Sequence, residues 1–155
     1  MIKIINAKLA DGSIVDVEIQ NNLISKVNKS SGSKSGEVID ATGKMLLPGL
    51  VDLHTHLREP GREDAETVLS GSTSAVAGGY TAISSMANTN PVADTAGVVE
   101  QIYRLGKDAG LCDVNPIGAV TKGIKGEQLA ELGAMADSIA AVRIFSDDGN
   151  CVADP

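Results

Sequence analysis

Apolar and polar positions change their rhythm near residue 49. Before it the beat is short and two-fold. Residues 2–9 (IKIINAKL) and 14–19 (IVDVEI) predict strands joined by the turn Asp11-Gly12-Ser13. Val15, Val17 and Ile19 alternate with Asp16 and Glu18, which predicts one buried and one wet face. Residues 23–27 continue the pattern after Asn21-Asn22, and residues 30–36 (SSGSKSG) predict a flexible loop. Residues 37–40 and 44–47 add two short strands around Ala41-Thr42-Gly43. Residues 1–49 therefore read as a small antiparallel β module, marginal alone because burial is thin below ~60 residues.

After it, strand and helix periods alternate. Leu50, Val51 and Leu53, entered through Pro48-Gly49 and left through Pro60-Gly61, predict a buried strand of a parallel sheet. Residues 64–77 carry Ala65, Val68, Leu69, Ala75 and Val76 at helical spacing, ended by Gly78-Gly79. Residues 80–85 (YTAISS) predict a second strand. Asp94 or Thr95 can cap a helix with the apolar face Val98, Val99, Ile102 and Leu105, closed by Gly110. Residues 113–120 are a third strand weakened by Pro116; residues 126–136 are a short helix; residues 141–145 (AVRIF) are a fourth strand leading into Ser-Asp-Asp-Gly.

Such alternation predicts an α/β class with parallel strands and right-handed crossovers. A doubly wound sheet expects a glycine-rich phosphate loop after its first strand; here that strand ends in His-Thr-His. The barrel alternative places reactive groups at the C-terminal ends of strands, where His54, His56, Asn88 and Asp148 fall. The expectation is a β module over residues 1–49, then the first half of a TIM-type (β/α)8 barrel over residues 50–155, about four strands of eight.

With 155 residues, 43% hydrophobic, the chain can build a real core. A net charge of -7 argues against nucleic-acid or anionic-membrane binding through bulk charge. Cys112 and Cys151 stand far apart and give no disulfide framework, and no apolar run reaches membrane-spanning length. A soluble, cytoplasmic protein is expected.

The candidate chemistry centres on the chain's two histidines, His54 and His56. Two apart on a strand, they share a face, with Cα atoms roughly 6–7 Å apart. They could be ordinary polar residues at a strand end, or they could hold one cation, at about 2.0–2.1 Å from each nitrogen if it is zinc. Asp52 lies one layer deeper and could orient them. Arg58 offers a fork suited to a carboxylate, or it could pair with Glu59 or Glu63, which otherwise read as solvated. Asn88 sits in a turn-rich Asn-Thr-Asn-Pro stretch. Asp147-Asp148-Gly149 could be a turn, a general base or a metal ligand, and adjacent residues on an extended chain diverge, so one of the two aspartates would face a metal.

The stretch LPGLVDLHTHLREPG (residues 47–61) resembles the metal-binding first strand of the amidohydrolase superfamily. REDAETVLSGSTSAVAGGYTAISSMANTNPVADT and the later FSDDG resemble bacterial dihydroorotases. That resemblance implies reversible ring closure of N-carbamoyl-L-aspartate to dihydroorotate. It implies His54 and His56 as ligands of a first zinc ion and Asp148 as the carboxylate bridging two, with Asp147 supporting or turning the chain. His56, Arg58 and Asn88 would meet the substrate. No catalytic residue is assigned: the family's aspartate and two further histidines have no counterpart after His56, so the 155 residues hold at most three of six protein ligands. As an N-terminal piece of a longer enzyme, these residues alone are expected to lack turnover and to expose unpaired strand edges. The implied partner is the small-molecule substrate, with a homo-oligomer or a carbamoyltransferase complex for the complete enzyme. The competing readings are an allantoinase or hydantoinase and a non-catalytic dihydroorotase-like subunit.

Overall fold

The computed structural model describes residues 1–31 and 36–152; residues 32–35 of the expected loop lie outside the described residues. The chain divides into two compact units, Met1–Pro48 and Gly49–Pro155.

The first unit contains β1 (Ile2–Lys8), β2 (Ile14–Gln20), β3 (Leu23–Lys29) and β4 (Glu37–Asp40), in the order β3-β2-β1-β4. The β1–β2 and β2–β3 pairs are antiparallel, but β4 joins β1 in parallel, so the module is mixed rather than antiparallel. β4 adds to the free side of β1 and runs in the same direction as β1 and β3. The strand expected at residues 44–47 is reduced to one bridge between Lys8 and Met45. Ala7, Val15, Val17 and Ala41 form the core.

The wet-face expectation fails at Asp16, which is 1% exposed. Asn6, in the left-handed region at φ 58, sits where the β1–β2 register breaks between Ile4 and Ala7. The break turns the Asn6 N–H onto Asp16 Oδ1 at 3.1 Å, and Ser30 Oγ, Ser31 N and Ser31 Oγ also donate to that carboxylate. Lys3 Nζ stands 3.8 Å away. These donors, the Ser31 N–H foremost, hold the Asp16 carboxyl well below the ordinary carboxylate range.

The second unit runs β5 (Leu50–Thr55), α1 (Val68–Ala77), β6 (Tyr80–Ser85), α2 (Ala96–Ala109), β7 (Asp113–Pro116), a 3-10 turn (Lys122–Ile124) and α3 (Leu132–Asp137). The strands form a parallel sheet in the order β5-β6-β7, and Val68, Ile83, Val99, Ile102, Val114 and Met135 pack into one core. Its polypeptide is the βα alternation that the sequence predicts, with corrections.

α1 begins at Val68 rather than residue 64, because Thr67 and Ser70 form a reciprocal capping box and Glu59 Oε2 accepts the Val68 N–H at 2.7 Å. α2 follows Thr95, whose side chain makes no capping bond; Asp94 instead accepts the Gly123 N–H. α3 is shorter than expected. Residues 141–145 are not a fourth strand: Ala141 has φ 47, which an extended chain cannot use, and only Phe145 bridges, in parallel, to Gly118. Three strands and one bridge therefore replace four strands. β5 is an edge strand, and Leu50, Val51 and Leu53 are 48%, 57% and 64% exposed rather than buried. No helix among the described residues is long and apolar enough to cross a membrane.

Candidate metal centre

Three chain segments meet at the C-terminal end of the parallel sheet. β5 delivers His54, and His56 follows one residue past its end. Their rings stand 5.1 Å apart, centroid to centroid, at 69°. Asp148 comes from the segment after the Gly118–Phe145 bridge. His54 Nε2 lies 3.5 Å from Asp148 Oδ1, and His56 Nε2 lies 3.4 Å from Asp148 Oδ2. One ligand atom from each of the three residues falls within 4.8 Å of the others, so the group could hold a metal ion. Both nitrogen–oxygen separations are long for a hydrogen bond. Each is close to the roughly 3.3–3.4 Å between neighbouring ligand atoms of a tetrahedral zinc with bonds of about 2.0–2.1 Å, and the two run to different oxygens of the carboxylate. Two imidazoles and a carboxylate are also a borderline-soft donor set of the kind zinc accepts. The residues fit a divalent cation.

Asp148 is placed by a turn and by its neighbour. Asn150 N donates to Asp147 O at 2.8 Å, closing a turn with Asp148 and Gly149 at its corners. Gly149 has φ 83, a conformation that side chains disfavour. The Asp147 carboxylate points the other way. It is buried and accepts Val120 N (2.8 Å), Thr121 N (3.0 Å) and the Thr121 hydroxyl. Asp147 thus fastens the loop and leaves Asp148 to face the histidines.

Asn88 enters from the loop after β6. Its Oδ1 lies 3.0 Å from His56 Nδ1, and its Nδ2 donates to Asp148 Oδ2 at 3.2 Å. Arg58 is exposed, with φ 63, and its guanidinium makes no ion pair or hydrogen bond among the described residues. It therefore does not pair with Glu59 or Glu63. Those two carboxylates are not merely solvated: Glu59 holds the start of α1, and Glu63 Oε1 accepts the Gly61 N–H, which lowers its pKa. Asp52 meets the histidine strand through the His54 backbone N–H at 3.0 Å, not through an imidazole. Sequence reasoning gave Asp147 a supporting or turn role without its donors, and it missed the Glu59 cap. A carboxylate in Asp-Asp-Gly is ambiguous until its donors are known, and those of Asp147 lie 26 and 27 residues upstream.

The model of the Dihydro-orotase-like family matches residues 43–154. A Dihydroorotase of Streptomyces coelicolor is 60% identical over 148 residues, covering 96% of this chain and 35% of that protein. A Dihydroorotase of Mycobacterium tuberculosis is 52% identical over 146 residues, covering 94% and 34%. The chain thus spans about a third of the length of the curated relatives it matches. Among solved structures, the L-hydantoinase (dihydropyrimidinase) of Arthrobacter aurescens matches at TM-score 0.67 and 22% identity, over 79% of this chain and 29% of that one. The D-hydantoinase (dihydropyrimidinase) of Thermus sp. matches at 0.56 and 26%, over 78% and 28%. The fold is the N-terminal part of such amidohydrolase barrels.

Proposed function

The chain belongs to the dihydroorotase-like family, and from that premise we propose that it carries part of the active site of a dihydroorotase. The reaction is the reversible cyclisation of N-carbamoyl-L-aspartate to dihydroorotate, in the cytoplasm. The observation that carries this reading is the convergence of His54, His56 and Asp148 on one small volume. These three would hold zinc, two ions in a complete site. Bound zinc polarises a carbonyl and lowers the pKa of its water towards about 7.

The chain's own residues do the rest. Arg58, whose guanidinium is uncommitted among the described residues, is the group to receive the substrate carboxylate through two parallel hydrogen bonds. Asn88 and His56 stand in contact with each other where that carboxylate would be steered. An acidic ligand with an amide to be opened or closed is what this set of groups recognises.

The test uses the protein at its full encoded length. Dihydroorotate should be hydrolysed in preference to hydantoin and allantoin. Activity should fall at least ~100-fold on chelation and in His54→Ala, His56→Ala and Asp148→Ala. Faster turnover of hydantoin would favour the second reading, a hydantoinase, which the solved neighbours support. Full activity after chelation, or in Asp148→Ala, would remove the metal reading.

A further inference from the structure

We infer that Asn88 is a positioning residue for the metal centre: its carboxamide selects the tautomer of His56 and holds the Asp148 carboxylate beside it. The inference rests on the metal reading above and goes beyond a substrate-binding role for Asn88.

A carboxylate only accepts hydrogen bonds, so the group of Asn88 facing Asp148 Oδ2 at 3.2 Å must be its NH2. The amide has no further freedom. Its carbonyl oxygen therefore faces His56 Nδ1, at 3.0 Å. A carbonyl only accepts, so Nδ1 must carry the proton. In neutral imidazole that leaves Nε2 bare. Nε2 is the atom 3.4 Å from Asp148, at the metal-facing corner of the group. One carboxamide thus passes information from the carboxylate ligand to the histidine ligand and sets the latter's lone pair towards the ion. A histidine ligand whose other nitrogen donates to an oxygen is also a more basic ligand.

The base of Asn88 is rigid enough for this. Ala87 and Thr89 on either side are buried, while Asn88 is exposed. Met86 N donates to Thr55 O at 2.8 Å, tying the loop to the strand that bears the histidines. Asn90 N donates to Pro60 O at 2.9 Å, and Thr89 Oγ1 to Pro91 O at 2.7 Å. The backbone is pinned before and after the side chain that does the positioning.

The test compares wild type, Asn88→Leu and Asn88→Asp in the full-length protein stripped of metal, with thermal unfolding to verify folding. Co2+ is titrated against a chromogenic chelator, and the visible spectrum of bound Co2+ is recorded without substrate. Leucine keeps the size and loses both bonds; Co2+ affinity should fall about 10–100-fold and the spectrum should change. Aspartate keeps an acceptor facing Nδ1; its affinity should lie above that of the leucine variant. Folded variants that bind Co2+ as tightly as wild type, with unchanged spectra and only a raised KM, would overturn the inference and leave Asn88 a substrate contact alone. If the leucine variant does not fold, the aspartate variant decides: a spectrum and affinity identical to those of His56→Ala would overturn the tautomer role. Wild-type protein that takes up no Co2+ would overturn both this inference and the metal reading.

Discussion

Removing the Asp147 carboxylate should unmoor Asp148, and the structure sets the size of the effect. Asp147 is buried and accepts from Val120 N, Thr121 N and the Thr121 hydroxyl. Asp147→Ala leaves three donors without a partner, and each such donor costs about 1–3 kcal/mol when buried. Allowing for partial relaxation and water entry, the loss is about 3–6 kcal/mol, a large share of the ~5–15 kcal/mol typical of a folded domain. Asp147→Asn is milder. The amide oxygen can keep both N–H bonds, and its NH2 can donate to Thr121 Oγ1, which already accepts from Gly126 N at 2.9 Å. The charge assistance is lost and the buried Thr121 O–H loses the acceptor it had in Asp147, together about 2–3 kcal/mol. Urea unfolding of the full-length protein and its two variants measures these costs, and Co2+ titration reads the site. Asp147→Asn should bind metal within about ten-fold of wild type, whereas Asp148→Asn should lose more than that. A cost below about 1 kcal/mol for Asp147→Ala would contradict the anchor. Loss of metal in Asp147→Asn at unchanged stability would make Asp147 the ligand and refute the assignment of Asp148.

Gly61→Ala should destabilise by about 3 kcal/mol or more, since Gly61 sits at φ 105 and an added Cβ would come within 2.1 Å of Asn90 O; a midpoint unchanged in urea unfolding would show that the Arg58 and Asn88 loops are not packed together there. Two glycines of α2 should respond in opposite directions: Gly97→Ala, with nothing within 4 Å, should stabilise by about 0.5–1 kcal/mol, while Gly106→Ala puts a Cβ 2.5 Å from Val114 Cβ and should destabilise. Equal shifts in thermal midpoint for the pair would mean that α2 does not press on β7 at Gly106. Asp16 has a carboxyl pKa depressed from 3.8, so its contribution to stability is present above its unfolded value and fades as pH falls below about 4. Asp16→Asn should therefore be less stable at neutral pH and flatter in its acid limb, followed by circular dichroism against pH; an acid limb as steep as wild type's would refute the donor set assigned to Asp16.

Local chemistry was legible and distant chemistry was not. His54 and His56 could be read as a pair because strand geometry makes residues two apart share a face, whatever surrounds them. The helices α1 and α2 were legible from spacing, although the start of α1 was not: its boundary is set by Glu59, which lies outside the helical pattern. Asp16 misled because alternation assigns a charged residue to water, while a register break at Asn6 and two serines fourteen and fifteen residues away supply it with donors. The run 141–145 has strand composition, yet Ala141 at φ 47 breaks it. Composition reports what a segment could pair with, not whether the backbone arrives straight.

The site itself depends on one kind of contact that no local pattern contains, the backbone tie between one strand end and the next. Met86 N reaches Thr55 O, Ile117 N reaches Ser85 O, and Gly118 exchanges bonds with Ile144 O and Ser146 N. Each tie carries the chain one step around the sheet. Together they bring Asp148, more than ninety residues after His56, to the side of the imidazoles. Sequence spacing named the histidines, but only this ladder decides which aspartate of Asp147-Asp148 turns inward: Asp147 is drawn to the Val120 and Thr121 N–H groups that the ladder leaves beyond Gly118, and Asp148 is left at the corner of the turn. Which carboxylate faces the imidazoles is therefore set by where unpaired backbone donors fall.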